Sequence, residues 1–150
     1  MVKEYTAKSE QEMVEIAQKF AQLAKKGDVF ALSGTLGAGK SVFARGFIQS
    51  LCGACDVPSP TFTLVQIYPA PEFDIYHYDL YRLKEAHEIF ELGVEDAFYD
   101  GVCLVEWPEK MKNLAPRGMW KITIKVVENI RQITVDSDDV DKIERLSNAG

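Results

Sequence analysis

A glycine-rich turn set between an apolar run of strand length and an amphipathic helical run constrains this chain more than any other feature. In "ALSGTLGAGKSVFARGF", residues 31–47, Gly34, Gly39, Lys40 and Ser41 match the pattern G-x-x-x-x-G-K-S/T. In that pattern successive backbone N–H groups wrap a nucleotide's phosphates, the lysine adds a point charge and the hydroxyl ligates Mg²⁺. A chance match in a chain this long is on the order of one in a few hundred, and the flanks sharpen it. "DVFALS" precedes the turn, and "SVFARGFIQSLC" follows with Phe43, Phe47 and Leu51 at helical spacing. Strand, loop and helix therefore come in the order that aims a helix N-terminus at an anion. The competing reading is a plain strand-to-helix turn that needs glycine for its backbone; the Lys-Ser pair leaves it little room.

Composition agrees with one folded α/β unit. The chain has 150 residues, 47% of them hydrophobic and 27% charged, which suits a single domain over 1–150 with a real core. No apolar run approaches the ~20 residues of a membrane span, and "MVKEYTAKSEQEM" lacks the apolar centre of a signal peptide. A cytoplasmic protein is expected. The formal charge of −6 argues against direct nucleic-acid binding as the dominant mode, whereas a Mg-nucleotide needs only local positive charge. Three cysteines argue against a disulfide framework. Cys52 and Cys55 have C-x-x-C spacing, but they fall at the end of the helix that follows the loop, where the dipole does not favour a thiolate. Small residues around a helix-ending Gly53 are the expected explanation.

Along the chain, Ser9 and Glu12 form a capping-box pattern ahead of Met13, Ile16, Ala17, Phe20, Leu23 and Ala24, so a helix is predicted there, stopped by Gly27. Thr61 to Tyr68 and Phe73 to Tyr81 read as an antiparallel hairpin around "PAPE". "KEAHEIFELG" reads as a short helix closed by Gly93, and "GVCLVEW" as a buried strand. Residues 119–137 read as a final hairpin with Trp120, Ile122, Ile124 and Val126 on one face, and the tail from Asp138 as a frayed helix at most.

Phosphoryl transfer needs a metal, groups that hold it and a group that positions the nucleophile. Asp79 and Glu106 each close an apolar strand, so both carboxylates are expected at a sheet edge near the loop. Thr61, on the proline-bounded "SPTFT" segment, is a candidate second Mg²⁺ ligand beside Ser41. His77 alternates within its strand and reads as a hydrogen-bonded packing residue rather than a base. Trp107 reads on general grounds as a core or edge aromatic.

Taken together, "GTLGAGKS", "VPSPTFTLVQIY", "HYDLYRL", "ELGVED" and "VEWPEK", in this order and spacing, resemble the TsaE (formerly YjeE) family of bacterial ATPases of tRNA threonylcarbamoyladenosine biosynthesis. The resemblance covers most of residues 29–110. It implies a small P-loop NTPase-like domain, a central sheet flanked by helices with antiparallel hairpins, that binds ATP and Mg²⁺ and works with the TsaD and TsaB proteins. By motif, Thr35, Leu36, Gly37, Ala38, Gly39, Lys40, Ser41 and Val42 become the phosphate-binding segment and Thr61 part of a switch-like loop. Asp79 and Glu106 become acids at the metal or the attacking water, and Trp107 an aromatic near the nucleotide. Glu106 is preferred for positioning water and Asp79 for Mg²⁺. A small-molecule kinase shares the loop but needs an acceptor pocket and a lid; a GTP switch needs an N-K-x-D motif the chain lacks. A binding module with incidental hydrolysis is the alternative from another class.

Overall fold

Strand β2 (Val29–Ser33) is apolar on both faces because both faces of the sheet it centres are covered. The computed structural model describes residues 2–34, 39–58 and 64–148. Seven strands form one mixed sheet in the order β1 (Val2–Ala7), β7 (Ile130–Asp136), β6 (Trp120–Val127), β2, β5 (Val102–Glu106), β4 (Asp74–Asp79), β3 (Val65–Pro69). The four central strands β6, β2, β5 and β4 run parallel. Antiparallel pairings add β7 and β1 on one side and β3 on the other.

Alternation along the strands sorts the core into two layers. Phe30, Leu32, Val102, Leu104 and Ile75 face α1 (Glu10–Leu23) and α2 (Lys40–Cys52). Val29, Ala31, Cys103, Val105 and Tyr78 face the opposite layer. That layer holds a 3₁₀ segment at Ala86–Leu92, helix α3 (Val94–Asp100) and 3₁₀ turns within Pro108–Leu114. On the first face Trp120 stacks on Phe30 at 5.5 Å and meets Phe20 edge-on at 5.8 Å, an arrangement aromatic quadrupoles favour. Helices α1 and α2 approach closely at Gly46, where an added Cβ would lie 3.1 Å from the Val14 Cα.

The expected capping motif forms, with one change. Ser9 Oγ accepts from the Glu12 N–H at 3.2 Å, but Glu12 Oε1 reaches back to the Lys8 N–H rather than that of Ser9. Helix α1 ends at Leu23, earlier than its expected stop, because Ala24 turns extended; Gly27, at φ 94°, instead serves the turn into β2. Both expected hairpins are present, although Val126 is exposed rather than part of the buried face. The predicted short helix is a 3₁₀ segment closed, as expected, by Gly93 in a left-handed conformation, with α3 starting immediately after it.

The tail departs most from its sequence reading. Val140–Asn148 is a docked helix, α4, which buries Ile143 and Leu146. Arg145 donates to the Leu23 carbonyl at 2.8 Å, capping the end of α1, and also meets the buried Asp28 carboxylate. Strand β1 had no counterpart in the sequence pattern. Among the described residues no helix is long and apolar enough to cross a membrane.

Candidate functional site

The carboxyl ends of the parallel strands converge on one edge, the place where open α/β sheets bind ligands. Glu106, the last residue of β5, is in register with Leu32 of β2 on one side and with Asp79, the last residue of β4, on the other. Glu106 shares strand parity with Leu104, and Asp79 with Ile75, so both project toward the α2 side of the sheet. The two acids expected at a sheet edge thus stand on neighbouring strands, one face and one level. Each is only 5% exposed.

Backbone and side-chain bonds fix both acids. The Leu80 N–H donates to the Glu106 carbonyl at 3.1 Å, and Asp79 Oδ1 accepts from the Tyr81 N–H at 3.0 Å, closing the turn after β4. The Asp79 N–H donates to the Leu64 carbonyl. Thr61 lies outside the described residues, but Leu64, three residues on, is tied directly to Asp79. His77, two residues before Asp79 and on the same face, is buried with its Nε2 2.7 Å from Glu106 Oε2. The expectation of a hydrogen-bonded histidine holds; its partner is a site carboxylate, which strand alternation alone does not reveal.

Helix α2 begins at the same edge, its Lys40 reaching the ring of Trp107, the residue that follows Glu106. Gly39 precedes it at φ 109°, a left-handed conformation that side chains resist, with the Met13 methyl 3.1 Å from where a Cβ would sit. The contrast with α1 is informative. Helix α1 carries a serine cap and two acids, Glu10 and Glu12, in its first turn. Helix α2 has no side-chain cap and no acid in its first turn, so the amides of Lys40, Ser41 and Val42 keep the partial positive charge of a helix start.

Lys40 itself is buried, and its Nζ has no hydrogen-bond partner among the described residues. It sits 4.1 Å from the centroid of the Trp107 ring. A cation–π contact offers about 2 kcal/mol when desolvated, against several kcal/mol for burying an ammonium. A buried cation so incompletely compensated beside an uncapped helix start is a site made for an anion. Trp107 adopts φ 59°, ψ 51°, a left-handed conformation that a bulky aromatic holds at a cost of about 1–3 kcal/mol. Its other neighbour is Tyr81, with ring centroids 4.9 Å apart.

Beyond Gly39 a cavity of about 260 Å³ opens, lined among others by Lys8, Glu10, Met13, Val42 and Arg131. Sequence reasoning missed it. Lys8 and Arg131 meet there because β1 pairs with β7, in which Ala7 opposes Arg131, and no local pattern signals that pairing. Thr35, Leu36, Gly37 and Ala38 lie outside the described residues. Ser41 stands exposed on the first turn of α2. Arg45, one turn further, reaches Glu10 of α1 at 3.8 Å on the surface.

The cysteine pair behaves as expected. Burial raises the Cys52 thiol, and Cys55 and Asp74 nearby raise it further, the opposite of an activated thiolate. Among the described residues no group of three or more His, Cys, Asp or Glu is placed to hold a metal. Mg²⁺ differs from zinc in this respect, since it is held by one or two carboxylates together with substrate phosphates and water. The hard oxygens of Glu106, Asp79 and Ser41 fit that mode.

The family model "Threonylcarbamoyl adenosine biosynthesis protein TsaE" matches residues 7–133. The tRNA threonylcarbamoyladenosine biosynthesis protein TsaE of Rickettsia typhi is 42% identical over 130 residues, 86% of this chain and 90% of that one. Its namesake in Bacillus subtilis is 40% identical over 121 residues, 79% of this chain and 75% of that one. The crystal structure of Bacillus subtilis YdiB superposes with a TM-score of 0.84 at 30% identity, covering 99% of this chain and 94% of that one.

Proposed function

Because the chain belongs to the TsaE family of threonylcarbamoyladenosine biosynthesis proteins, we propose that it binds Mg-ATP, hydrolyses it and so supports that modification of tRNA in the cytoplasm, in concert with the TsaB–TsaD pair. The observation that carries the nucleotide reading is Lys40, a buried ammonium with no hydrogen-bond partner among the described residues, at an uncapped helix start beside two strand-end acids.

In this reading the Lys40 ammonium and the α2 amides hold the phosphates, and the cavity beyond Gly39 takes the nucleoside. Ser41, Asp79 and Thr61 would supply oxygens to hold Mg²⁺, which would neutralise phosphate charge as the reaction proceeds. Glu106 accepts a hydrogen bond from the attacking water and points its lone pair at the γ-phosphorus. As the water oxygen bonds to the γ-phosphorus, the bond from that phosphorus to the bridging oxygen breaks with its electron pair leaving on ADP, and the water's proton passes to the Glu106 carboxylate and on to the released phosphate. Trp107 shields Lys40 from solvent, which strengthens its attraction for phosphate.

Calorimetric titration with Mg-ATP, paired with a phosphate-release assay with and without the TsaB–TsaD pair, tests the proposal. Binding and partner-stimulated phosphate release are expected. Phosphate transfer to a small-molecule acceptor would favour a kinase, and tRNA modification unimpaired by a variant that binds but does not hydrolyse ATP would favour a binding module.

A further inference from the structure

We infer that His77 is a positioning residue for Glu106, selecting which carboxylate oxygen is left to face the reacting water. The inference rests on the hydrolytic reading above for its catalytic consequence, but not for its geometry. His77 lies on β4 in register with Leu104, so it is diagonal to Glu106 across the β4–β5 pair, with both side chains on the α2 face. The contact of 2.7 Å joins two groups whose side chains are 2% and 7% exposed. An ionised carboxylate only accepts hydrogen bonds, so His77 Nε2 carries the hydrogen and donates it to Oε2. The bond is charge-assisted and enclosed, which places it among the stronger class.

Two consequences follow for Glu106. A glutamate has three rotatable side-chain bonds, and the bond at Oε2 sets the carboxylate plane and leaves Oε1 the oxygen with both lone pairs free of His77. The backbone end is fixed as well, since the Glu106 carbonyl accepts from Leu80. The carboxylate is therefore held at both ends by β4 and the turn that follows it, the strand that also carries Asp79. The other ring nitrogen, His77 Nδ1, is buried with no partner among the described residues. That suits a neutral ring with its hydrogen on Nε2, because an N–H left unbonded at Nδ1 would cost more than a bare acceptor.

Two measurements test this. Nitrogen-15 correlation spectra of the nucleotide-free chain are expected to show His77 in its Nε2–H form, with signals that shift in Glu106→Ala. An Nδ1–H ring, or signals indifferent to Glu106→Ala, would overturn the inference whether or not the chain hydrolyses ATP. In steady-state assays with the TsaB–TsaD pair, His77→Met is expected to lower kcat by about 10²-fold, the scale of a misplaced catalytic group, with the calorimetric Kd for Mg-ATP within twofold. His77→Gln, which returns an N–H donor near the Nε2 position, should recover most of that loss. Equal kcat in His77→Met and the unsubstituted chain would sink the inference, as would equal losses in both variants alongside a matching fall in Tm, which marks a merely structural role. An unsubstituted chain that turns over no ATP even with the pair would defeat the hydrolytic reading instead, and the spectra would still decide the His77–Glu106 contact.

Discussion

At the scale of single residues, Lys40 sets function against stability. Its ammonium is buried against Trp107 without a hydrogen-bond partner among the described residues, so the nucleotide-free fold carries a charge it does not compensate. Lys40→Met keeps the stem's packing and removes that charge. The nucleotide-free variant is expected to gain about 1 kcal/mol or more in denaturant unfolding while losing Mg-ATP binding by at least tenfold, since each charge-assisted hydrogen bond contributes about 1.5–3 kcal/mol. A variant that is no more stable yet binds ATP unchanged would show that Lys40 is not the anion group. Glu106→Gln separates the steps differently: the amide keeps shape and loses charge, so calorimetry should find ATP still bound while phosphate release slows by about 10²-fold or more. Equal turnover would shift that role to Asp79. Of these residues, Lys40, Asp79 and Glu106 were legible in sequence because a motif or a strand end marks each. The His77–Glu106 bond was not, because it depends on which strands lie side by side.

At the scale of elements, α4 shows why local patterns undervalue a terminal helix. Its sequence, "VDKIERLSN", is polar and short, and an isolated helix of that length is marginal. Tertiary contacts stabilise it: Leu146 enters the α1 layer and Ile143 is buried, Arg145 bonds the Leu23 carbonyl and Asp28, and Lys142 lies 3.8 Å from Asp28. Arg145→Ala leaves the Leu23 carbonyl and much of Asp28 uncompensated and should destabilise the fold by about 1–3 kcal/mol, read by denaturant unfolding; unchanged stability would mean that α4 is not docked as described. Asp139 begins the helix, its Oδ1 accepting from the Asp141 N–H and its Oδ2 from Lys142 Nζ at 3.0 Å. The hydrogen bond from Lys142 is the main cause that holds its pKa below the ordinary aspartate value. A carboxylate lowered on folding stabilises above its unfolded value and loses that contribution as pH falls through the folded one. Asp139→Asn should therefore lower Tm at neutral pH, and the difference from the unsubstituted chain should shrink once the solution is more acidic than the ordinary aspartate range.

At the scale of the whole molecule, the architecture was legible where periodicity is local and hidden where it is not. Both hairpins and the buried strands β2 and β5 follow from alternation and apolar runs. The mixed sheet's outer pair, β1 with β7, brings Ala7 beside Arg131 from distant parts of the chain, and both residues line the cavity beyond Gly39. The same assembly bears on rate. Arg45, the arginine nearest the phosphate-binding turn in sequence, is turned outward to Glu10, and an exposed pair of this kind contributes little. It is not directed at the strand-end acids, so in the proposed reaction Arg45 adds no charge beside that of Lys40, the α2 amides and Mg²⁺. Intrinsic hydrolysis should accordingly be slow. Leu64, three residues after Thr61, is bonded to the Asp79 backbone, so a partner contact at Thr61 is expected to be felt at a site acid. Supplying a group in trans raises turnover by about 10³–10⁵-fold in P-loop enzymes, which sets the upper scale for the proposed stimulation by the TsaB–TsaD pair. Thr61→Ala is expected to reduce that stimulation more than it reduces Mg-ATP affinity, with rates at saturating ATP measured with and without the pair. Full activity of the isolated chain, indifferent to the pair and to Thr61, would make a self-sufficient ATPase or kinase the better account.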